Sequence, residues 1–197
     1  RALLEAAAPA PRAVALAPID DDAAHAARVA EALRLIAAGD LYQVNLARRV
    51  TLEVSGDLLT SFQRLVKAAP SDLAAALLFD DAAAVLSTSP ELFLHVTPDR
   101  RVTTVPIKGT RRRGAHGGED EHLARELDGD PKERAELTMV VDLERNDLGR
   151  VARAGTVRLV GSPSVVTHRT LHHRVARVTG LLPVGGTVPR LVEATFP

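Results

Sequence analysis

Two glutamates, Glu133 and Glu136, stand one helical turn apart in a segment with a strong helix-start pattern. Asp130 fits the N-cap, Pro131 the first helical position and Glu133 the third, so a helix is predicted over residues 131–147. Two carboxylates beside the apolar residues of that face are costly unless a cation or a partner neutralises them. An oxygen-only site of this kind suits magnesium. A helix cap for Glu133 and a solvated surface for Glu136 are the structural alternatives.

The second half of that helix is dense in charge between residues 141 and 151. Such density is typical of a salt-bridged, solvent-exposed helix face, and this interpretation fits Glu144 well. It explains Asp142, Asn146 and Asp147 less well, because apolar residues flank the charged stretch.

A single lysine, Lys108, follows a strand predicted over residues 102–107 and begins a loop predicted over residues 108–118. Gly109 permits close backbone approach, and backbone amides can face an anion. A lysine desolvated in such a site can lose its proton and act as a nucleophile. The alternative is a solvated basic loop made of Lys108 and the three arginines after Thr110. Nucleic acid is a poor fit, because the basic stretch is short and contains no aromatic residue to stack on bases.

Residues 130–151 read Asp-Pro-Lys-Glu-Arg-Ala-Glu-Leu-Thr-Met-Val-Val-Asp-Leu-Glu-Arg-Asn-Asp-Leu-Gly-Arg-Val. This string closely resembles the signature of chorismate-utilising enzymes, which include anthranilate synthase component I and aminodeoxychorismate synthase component I. The resemblance implies that Glu136 binds the magnesium ion that holds the ring carboxylate of chorismate. It also implies that Glu133 lies beside the ring, with an acid–base role at the departing hydroxyl. The string departs from the family at Leu137, where histidine is frequent.

The motif Pro-Ile-Lys-Gly-Thr-Arg at residues 106–111 separates branches of this family. Anthranilate synthases usually carry alanine at the position of Lys108, whereas aminodeoxychorismate synthases carry lysine. The resemblance therefore implies that Lys108 attacks C2 of chorismate and expels the C4 hydroxyl, after which ammonia adds at C4 and the lysine leaves. The product is 4-amino-4-deoxychorismate, the precursor of p-aminobenzoate and folate. Gly109 and Thr110 are expected to bind the substrate.

The same resemblance implies a glutamine amidotransferase partner that supplies the ammonia. Two alternatives stay open, namely anthranilate synthase component I and a truncated module that binds chorismate or docks the amidotransferase without catalysis. The family's final glycine-rich section, and the later glutamate that gives magnesium a second protein ligand, do not occur in this sequence. We therefore expect the chain alone to be inactive or nearly so.

Two further motifs resemble those of the family. Residues 89–93, Ser-Pro-Glu-Leu-Phe, contain Glu91, which is expected near the active site, with a turn residue as the alternative. Residues 171–175, Leu-His-His-Arg-Val, contain His173, which matches the active-site histidine and suits a proton donor or hydrogen-bond partner. His172 points to the opposite face of the predicted strand, so only one of the two histidines can face the site.

Bulk composition narrows the class of protein. The chain has 197 residues, 46% apolar and 25% charged, which suits one globular domain or a piece of a larger one. The resemblance implies that residues 1–197 form a single, partial chorismate-binding catalytic domain. Zero formal net charge gives no overall attraction to nucleic acid or an anionic membrane. The lack of cysteine excludes disulfides, thiolate nucleophiles and cysteine zinc sites. No apolar run reaches membrane-spanning length, and we expect a cytoplasmic protein.

Helices and strands are mixed without strict alternation, which favours the α+β class over a doubly wound sheet. The resemblance implies layered antiparallel β-sheets with flanking helices, as in anthranilate synthase component I, incomplete at the C-terminus. Residues 40–54 are predicted as a strand, and residues 39–46 resemble a family motif of mainly structural role. Further helices are predicted over residues 23–38, 57–69, 119–127 and 189–194, and further strands over residues 73–78, 83–87, 92–96, 156–160, 165–167 and 171–179, with a turn at residues 80–81.

Overall fold

The computed structural model describes residues 21–79 and 83–196, together with the backbone of residues 12–15. The chain divides into two compact units, the first ending at Leu65 and the second beginning at Val66. The turn predicted at residues 80–81 lies outside the described residues. Within the described part of the chain, no helix is both long enough and apolar enough to cross a membrane.

The first unit contains helix α1 (Asp22–Ala38), which ends as the sequence predicts. Gly39 follows it at φ 82°, a left-handed conformation that glycine adopts without strain. Strand β1 (Arg12–Ala15) pairs antiparallel with β2 (Leu52–Ser55), and helix α2 (Leu58–Ala68) continues into the second unit.

The strand predicted over residues 40–54 is wrong for most of its length. Only Leu52–Ser55 forms a strand, and residues 43–51 have no regular structure. The apolar side chains of Tyr42, Val44 and Leu46 are exposed, Tyr42 to 81%. Alternating side chains form a stable strand only where a neighbouring strand supplies hydrogen bonds, and no described residue pairs with residues 41–51.

In the second unit, the described strands form three antiparallel sheets. The strands are β3 (Ala75–Leu78), β4 (Ala84–Ser87), β5 (Leu92–Val96), β6 (Arg101–Val105), β7 (Ile107–Arg112), β8 (Arg158–Leu159), β9 (Ser164–Thr167), β10 (Leu171–Val175) and β11 (Val178–Leu181). Strand β3 pairs with β4, a four-stranded sheet has the order β5-β6-β11-β8, and a three-stranded sheet has the order β7-β10-β9. Helices α3 (Gly117–Gly129), α4 (Pro131–Gly149) and α5 (Val188–Thr195) pack beside them. These layers confirm the predicted α+β class.

Helix α4 carries much of the core of this unit. Its start is built as the sequence predicts, with Pro131 in the first turn and Oδ1 of Asp130 accepting hydrogen bonds from two backbone N–H groups. Each fully buried leucine contributes about 1.5–3 kcal/mol to folding. The apolar side chains of α4 pack in one core cluster with residues of β6 and β11, and this packing fixes the helix and its glutamates against those strands. The core cluster consists of Val102, Leu137, Val141, Leu148, Ala176, Val178, Leu182 and Leu191.

The prediction of a loop over residues 108–118 is wrong for residues 108–112, which belong to strand β7. Strand β10 supplies the missing partner, and Thr110 lies opposite His173 in the register. Pro106 separates β6 from β7 where the chain passes between two sheets. The strand predicted over residues 171–179 is likewise two strands, β10 and β11, which belong to different sheets.

Candidate active site

Lys108 lies on β7, directly after Ile107, whose backbone holds the side chain of Glu91. The backbone N–H of Ile107 donates a hydrogen bond to Oε1 of Glu91 over 2.8 Å. This bond ties the residue before β5 to β7, so the Glu91 carboxyl group is fixed at the lysine's strand. Lys108 itself is half-buried.

His173 reaches β7 from β10. Its Nδ1 lies 3.0 Å from Oγ1 of Thr110, and its ring stands edge-on to the ring of His168 at 5.4 Å. Burial lowers the pKa of His173 and the neighbouring His168 lowers it further, whereas a hydrogen bond to the Gly109 backbone and the charge of Glu91 act in the opposite direction. The imidazole therefore favours its neutral form, which suits a hydrogen-bond partner better than a strong acid.

His172 points to the other face of β10, as strand alternation predicts. Its ring is 1% exposed, with Nε2 2.9 Å from Oδ1 of Asp120 and Nδ1 2.9 Å from Oγ1 of Thr167. Arg113 donates to both carboxylate oxygens of Asp120, over 2.8 and 2.7 Å, which holds the pKa of Asp120 well below its usual range. This network joins β10 to α3 and leaves His173 as the histidine that faces β7.

Gly109 forms a bulge in β7 where helix α4 comes close. Its φ is 83°, and the pairing register with β10 shifts between His173 and Val175. A Cβ atom added at Gly109 would lie 2.8 Å from Cδ1 of Leu127 and 3.0 Å from Oε2 of Glu133. The Glu133 carboxyl group therefore lies against the backbone of β7, which leaves capping of α4 to Asp130.

Arg111 holds the start of α4 to β7. Its Nε donates to Glu126 over 2.8 Å, its Nη2 donates to Asp130 over 2.9 Å, and its Nη1 lies 3.8 Å from Oε1 of Glu133. The hydrogen bond with Glu126 is the largest cause of a raised pKa at Arg111. A solvated basic loop is therefore the wrong interpretation for this arginine, which positions Glu133.

Glu136 lies one turn further along α4 and is more accessible, at 39% side-chain exposure. Its Oε1 lies 3.4 Å from Nζ of Lys132. Among the described residues, no group of three or more His, Cys, Asp or Glu side chains could hold a metal ion together. One accessible carboxylate nevertheless fits magnesium, which keeps several waters and binds through one or two carboxylates plus substrate oxygens.

Glu144 is partly buried on helix α4, although its neighbours in sequence are charged. Burial raises its pKa to about 7, a hydrogen bond with Thr104 acts against this rise, and the charges of Glu91 and Asp147 add to it while that of Lys108 opposes it. Its Oε2 is buried and has no hydrogen-bond partner among the described residues. The predicted solvent-exposed face is therefore wrong for Glu144.

Helical spacing was the signal that could have found this residue. Leu137, Val141, Glu144 and Leu148 follow one another at intervals of four, three and four residues, which is the spacing of a core stripe. Arg111 gave no comparable signal, because its partners Glu126 and Asp130 are 15 and 19 residues away along the chain.

Replacing Glu144 by leucine is expected to stabilise the fold above neutral pH and to have little effect near pH 5. The native carboxyl group has a pKa of about 7 against an ordinary 4.5, so the folded state binds more protons than the unfolded state between these values. Its stability therefore falls as pH rises through that window. After allowance for partial exposure, the difference in unfolding free energy between the variant and the wild type should grow by about 1–2 kcal/mol from pH 5 to pH 8, in favour of the variant. Urea unfolding at both pH values measures this difference, and a gain independent of pH would contradict the shifted pKa.

The sequence profile of chorismate binding enzymes matches residues 2–197. The chain belongs to this family. Aminodeoxychorismate synthase from Streptomyces pristinaespiralis is 41% identical over 169 residues, which cover 86% of this chain and 23% of the relative. Aminodeoxychorismate synthase component 1 from Klebsiella aerogenes is 42% identical over 159 residues, covering 81% and 35%. Among solved structures, anthranilate synthase component I from Streptococcus pneumoniae TIGR4 has a TM-score of 0.82 at 30% identity, covering 98% of this chain and 41% of that one.

The chain therefore has the anthranilate synthase component I-like fold that its sequence predicts. It spans about a quarter to a third of the length of these curated relatives. Leu137, which replaces a frequent histidine in the family signature, is 1% exposed and belongs to the core cluster.

The groups gathered on and around β7 offer three kinds of chemistry. Lys108 carries a primary amine that can add to an electron-poor carbon once it is uncharged. Glu91 and Glu133 carry carboxyl groups that can give a proton to a departing hydroxyl or take one from a nucleophile. The neutral-leaning imidazole of His173 can orient a substrate oxygen by hydrogen bonding.

Proposed function

We propose that this chain is the chorismate-aminating part of an aminodeoxychorismate synthase component I. The observation that carries the proposal is Lys108 on β7, directly after Ile107, whose N–H holds the Glu91 carboxyl group. An amine on β7, beside a carboxyl group that is hydrogen-bonded to the preceding residue of that strand, suits a substitution that needs both a nucleophile and a proton donor. The similarity to two aminodeoxychorismate synthases, at 41% and 42% identity, supports the same reaction.

In the proposed mechanism, the uncharged amine of Lys108 forms a bond to C2 of chorismate while the bond between C4 and its hydroxyl oxygen breaks. The ring double bond shifts, and the oxygen leaves as water after taking a proton from Glu133. Ammonia then forms a bond to C4, and the bond between C2 and the lysine nitrogen breaks. Lys108 returns as an amine, and the new ammonium group at C4 gives a proton back to Glu133. Chorismate and ammonia thus give 4-amino-4-deoxychorismate and water.

We assign supporting roles around the substrate to residues that lie on β7 or beside it. Gly109 and Thr110 would offer backbone and hydroxyl groups to the substrate, and His173, held by Thr110 at 3.0 Å, would orient a substrate oxygen. Glu91 would exchange protons with the amine of Lys108 during the reaction. We also propose that a glutamine amidotransferase supplies the ammonia.

Magnesium is the cofactor that we propose for Glu136. The carboxylate is accessible, and when bound the ion would supply positive charge to hold the ring carboxylate of chorismate. Lys132, 3.4 Å away, neutralises Glu136 in this structure and would have to move aside for the ion.

The reaction is tested by incubating the gene product that carries this sequence with chorismate, magnesium and ammonium salt. Chromatography separates 4-amino-4-deoxychorismate from anthranilate, and we expect the first. Anthranilate is the product of the second candidate reaction, which the likeness to the Streptococcus pneumoniae enzyme favours. If anthranilate is the only product, that second reaction replaces the proposed one. If neither amino product forms, the proposal is reduced to chorismate binding without amination.

Exchange of Glu136 for glutamine is expected to raise the magnesium concentration needed for half-maximal chorismate turnover by about 10- to 100-fold. The amide keeps the shape of the side chain and loses the charge that attracts the ion. Glu121→Gln is the matched control, since this glutamate is exposed on α3. Equal magnesium requirements in the Glu136 variant and the control would remove Glu136 from the metal site.

A further inference from the structure

Arg174 on β10 is a buried cation for which the proposed reaction has no use. Its side chain is 7% exposed, and arginine is seldom buried to this degree unless its charge is fully paired. Like His172, it bonds to an aspartate of α3, so it lies on the face of β10 opposite to His173. Arg174 is therefore separate from the side chains gathered around β7.

The guanidinium group of Arg174 uses only some of its five N–H donors. Nη1 donates to the backbone oxygen of Asp128 over 3.0 Å and also to the Asp128 carboxyl group. Both bonds that the group forms within residues 21–79 and 83–196 use Nη1, and Nε is buried there without a partner. The edge formed by Nε and Nη2 therefore keeps two parallel N–H donors, the arrangement that binds both oxygens of a carboxylate.

The charge of Arg174 is only partly balanced, because Asp128 is shared between two arginines. Nε of Arg134 on α4 donates to the backbone oxygen of Asp128 over 2.6 Å, and its Nη2 lies 3.6 Å from Oδ2. The Asp128 side chain is 50% exposed, so water weakens its attraction for both cations. Two arginines and one aspartate leave this cluster with one excess positive charge.

The same three residues line a cavity of about 310 Å³. The remaining walls come from two apolar and two hydroxyl-bearing residues, namely Leu137, Pro163, Thr138 and Ser162. This volume is at the lower end of the range for small-molecule sites. Apolar walls beside a cationic edge suit an anion that carries a small hydrocarbon body better than a bare inorganic ion.

We propose that this cavity is a binding site for a small organic carboxylate. The carboxylate oxygens accept hydrogen bonds from Nε and Nη2 of Arg174, and the charge of Arg134 adds to the attraction. The body of the ligand packs against Leu137 and Pro163. The proposal does not rest on chorismate amination, because the cavity contains none of the side chains assigned to that reaction.

Titration of the gene product that carries this sequence with benzoate tests the proposal. Calorimetry should show binding with a Kd on the order of 1 mM, as suits so small a ligand. Benzamide has the same shape without the charge and should bind at least about tenfold more weakly. Nitrogen-15 NMR locates the site, because the Nε–H signal that Arg174→Lys removes should shift in the wild type as benzoate is added.

Variants of the two arginines separate this site from benzoate binding elsewhere. Arg174→Lys keeps the positive charge but lacks the paired N–H edge, so it should weaken benzoate binding at least about tenfold. Arg134→Gln changes an exposed side chain and should weaken binding about two- to fivefold, which provides a test if the lysine variant folds poorly. Arg125→Gln, at an exposed position of α3, is the matched control and should bind as the wild type does.

Three results would overturn the proposal. They are no benzoate binding to the wild type up to about 20 mM, equal affinity in the wild type, Arg174→Lys and Arg134→Gln, and tighter binding of inorganic phosphate than of benzoate. A benzoate-dependent shift of the Arg174 Nε–H signal, with weaker binding in both variants, supports the site. If such a protein gives no 4-amino-4-deoxychorismate, only the proposed function fails.

Discussion

Replacing Lys108 by alanine is expected to lower the amination of chorismate at C4 by at least about a thousandfold. The alanine variant has no amine to bond to C2, so the C4 hydroxyl loses the nucleophile that expels it. Binding of chorismate should change much less, because the other groups on β7 remain in place. The measurement is the rate of 4-amino-4-deoxychorismate formation with saturating ammonium salt, together with the KM for chorismate.

Two further substitutions make the Lys108 result specific. Lys108→Arg keeps a positive charge without a usable nucleophile, so it should be as inactive as the alanine variant. Lys67→Ala removes an exposed lysine on α2 and should leave the rate unchanged. Amination at the wild-type rate by Lys108→Ala would mean that ammonia attacks C4 directly. Activity retained by the arginine variant alone would indicate that the lysine acts as a charge.

The sequence pattern predicted those parts of the site whose geometry depends on residues close together in the chain. The cap of α4 at Asp130 follows from neighbouring residues, and the opposite directions of His172 and His173 follow from strand alternation. The strand β7 was taken for a loop because its partner β10 lies about sixty residues later in the chain, a pairing that no local window contains. For the same reason the contact between Gly109 and Glu133 could not be predicted.

Glu144 shows a different limit of sequence interpretation. Its neighbours in sequence are charged, and a charged stretch on a helix is most often a solvated face. Its spacing from Leu137 and Leu148 contained the opposite information, which the charge density obscured. The spacing of a carboxyl group from buried leucines therefore indicates its burial better than the number of charges around it.

Gly109→Ala is expected to cost about 2–5 kcal/mol of unfolding free energy and to impair amination. Two effects add at this position. The residue has φ 83°, where a side chain is strained, and its new Cβ would meet Leu127 at 2.8 Å and Glu133 at 3.0 Å. Leu127 on α3 is fully buried and has no space to retreat. The new Cβ would also meet Cβ of Glu133 at 3.1 Å, so the first turn of α4 is pushed away from β7 together with the Glu133 carboxyl group.

Gly185→Ala separates the strain from the crowding. Gly185 has the same φ of 83°, but a Cβ added there would meet nothing within 4 Å. Its cost should be about 1–2 kcal/mol, from the backbone alone, with amination unchanged. Urea unfolding of both variants gives the difference that the crowding causes. Equal losses of stability would show that helix α4 does not press against β7, and the position assigned to Glu133 would then have to be given up, because that close approach is what brings its carboxyl group to the strand of Lys108.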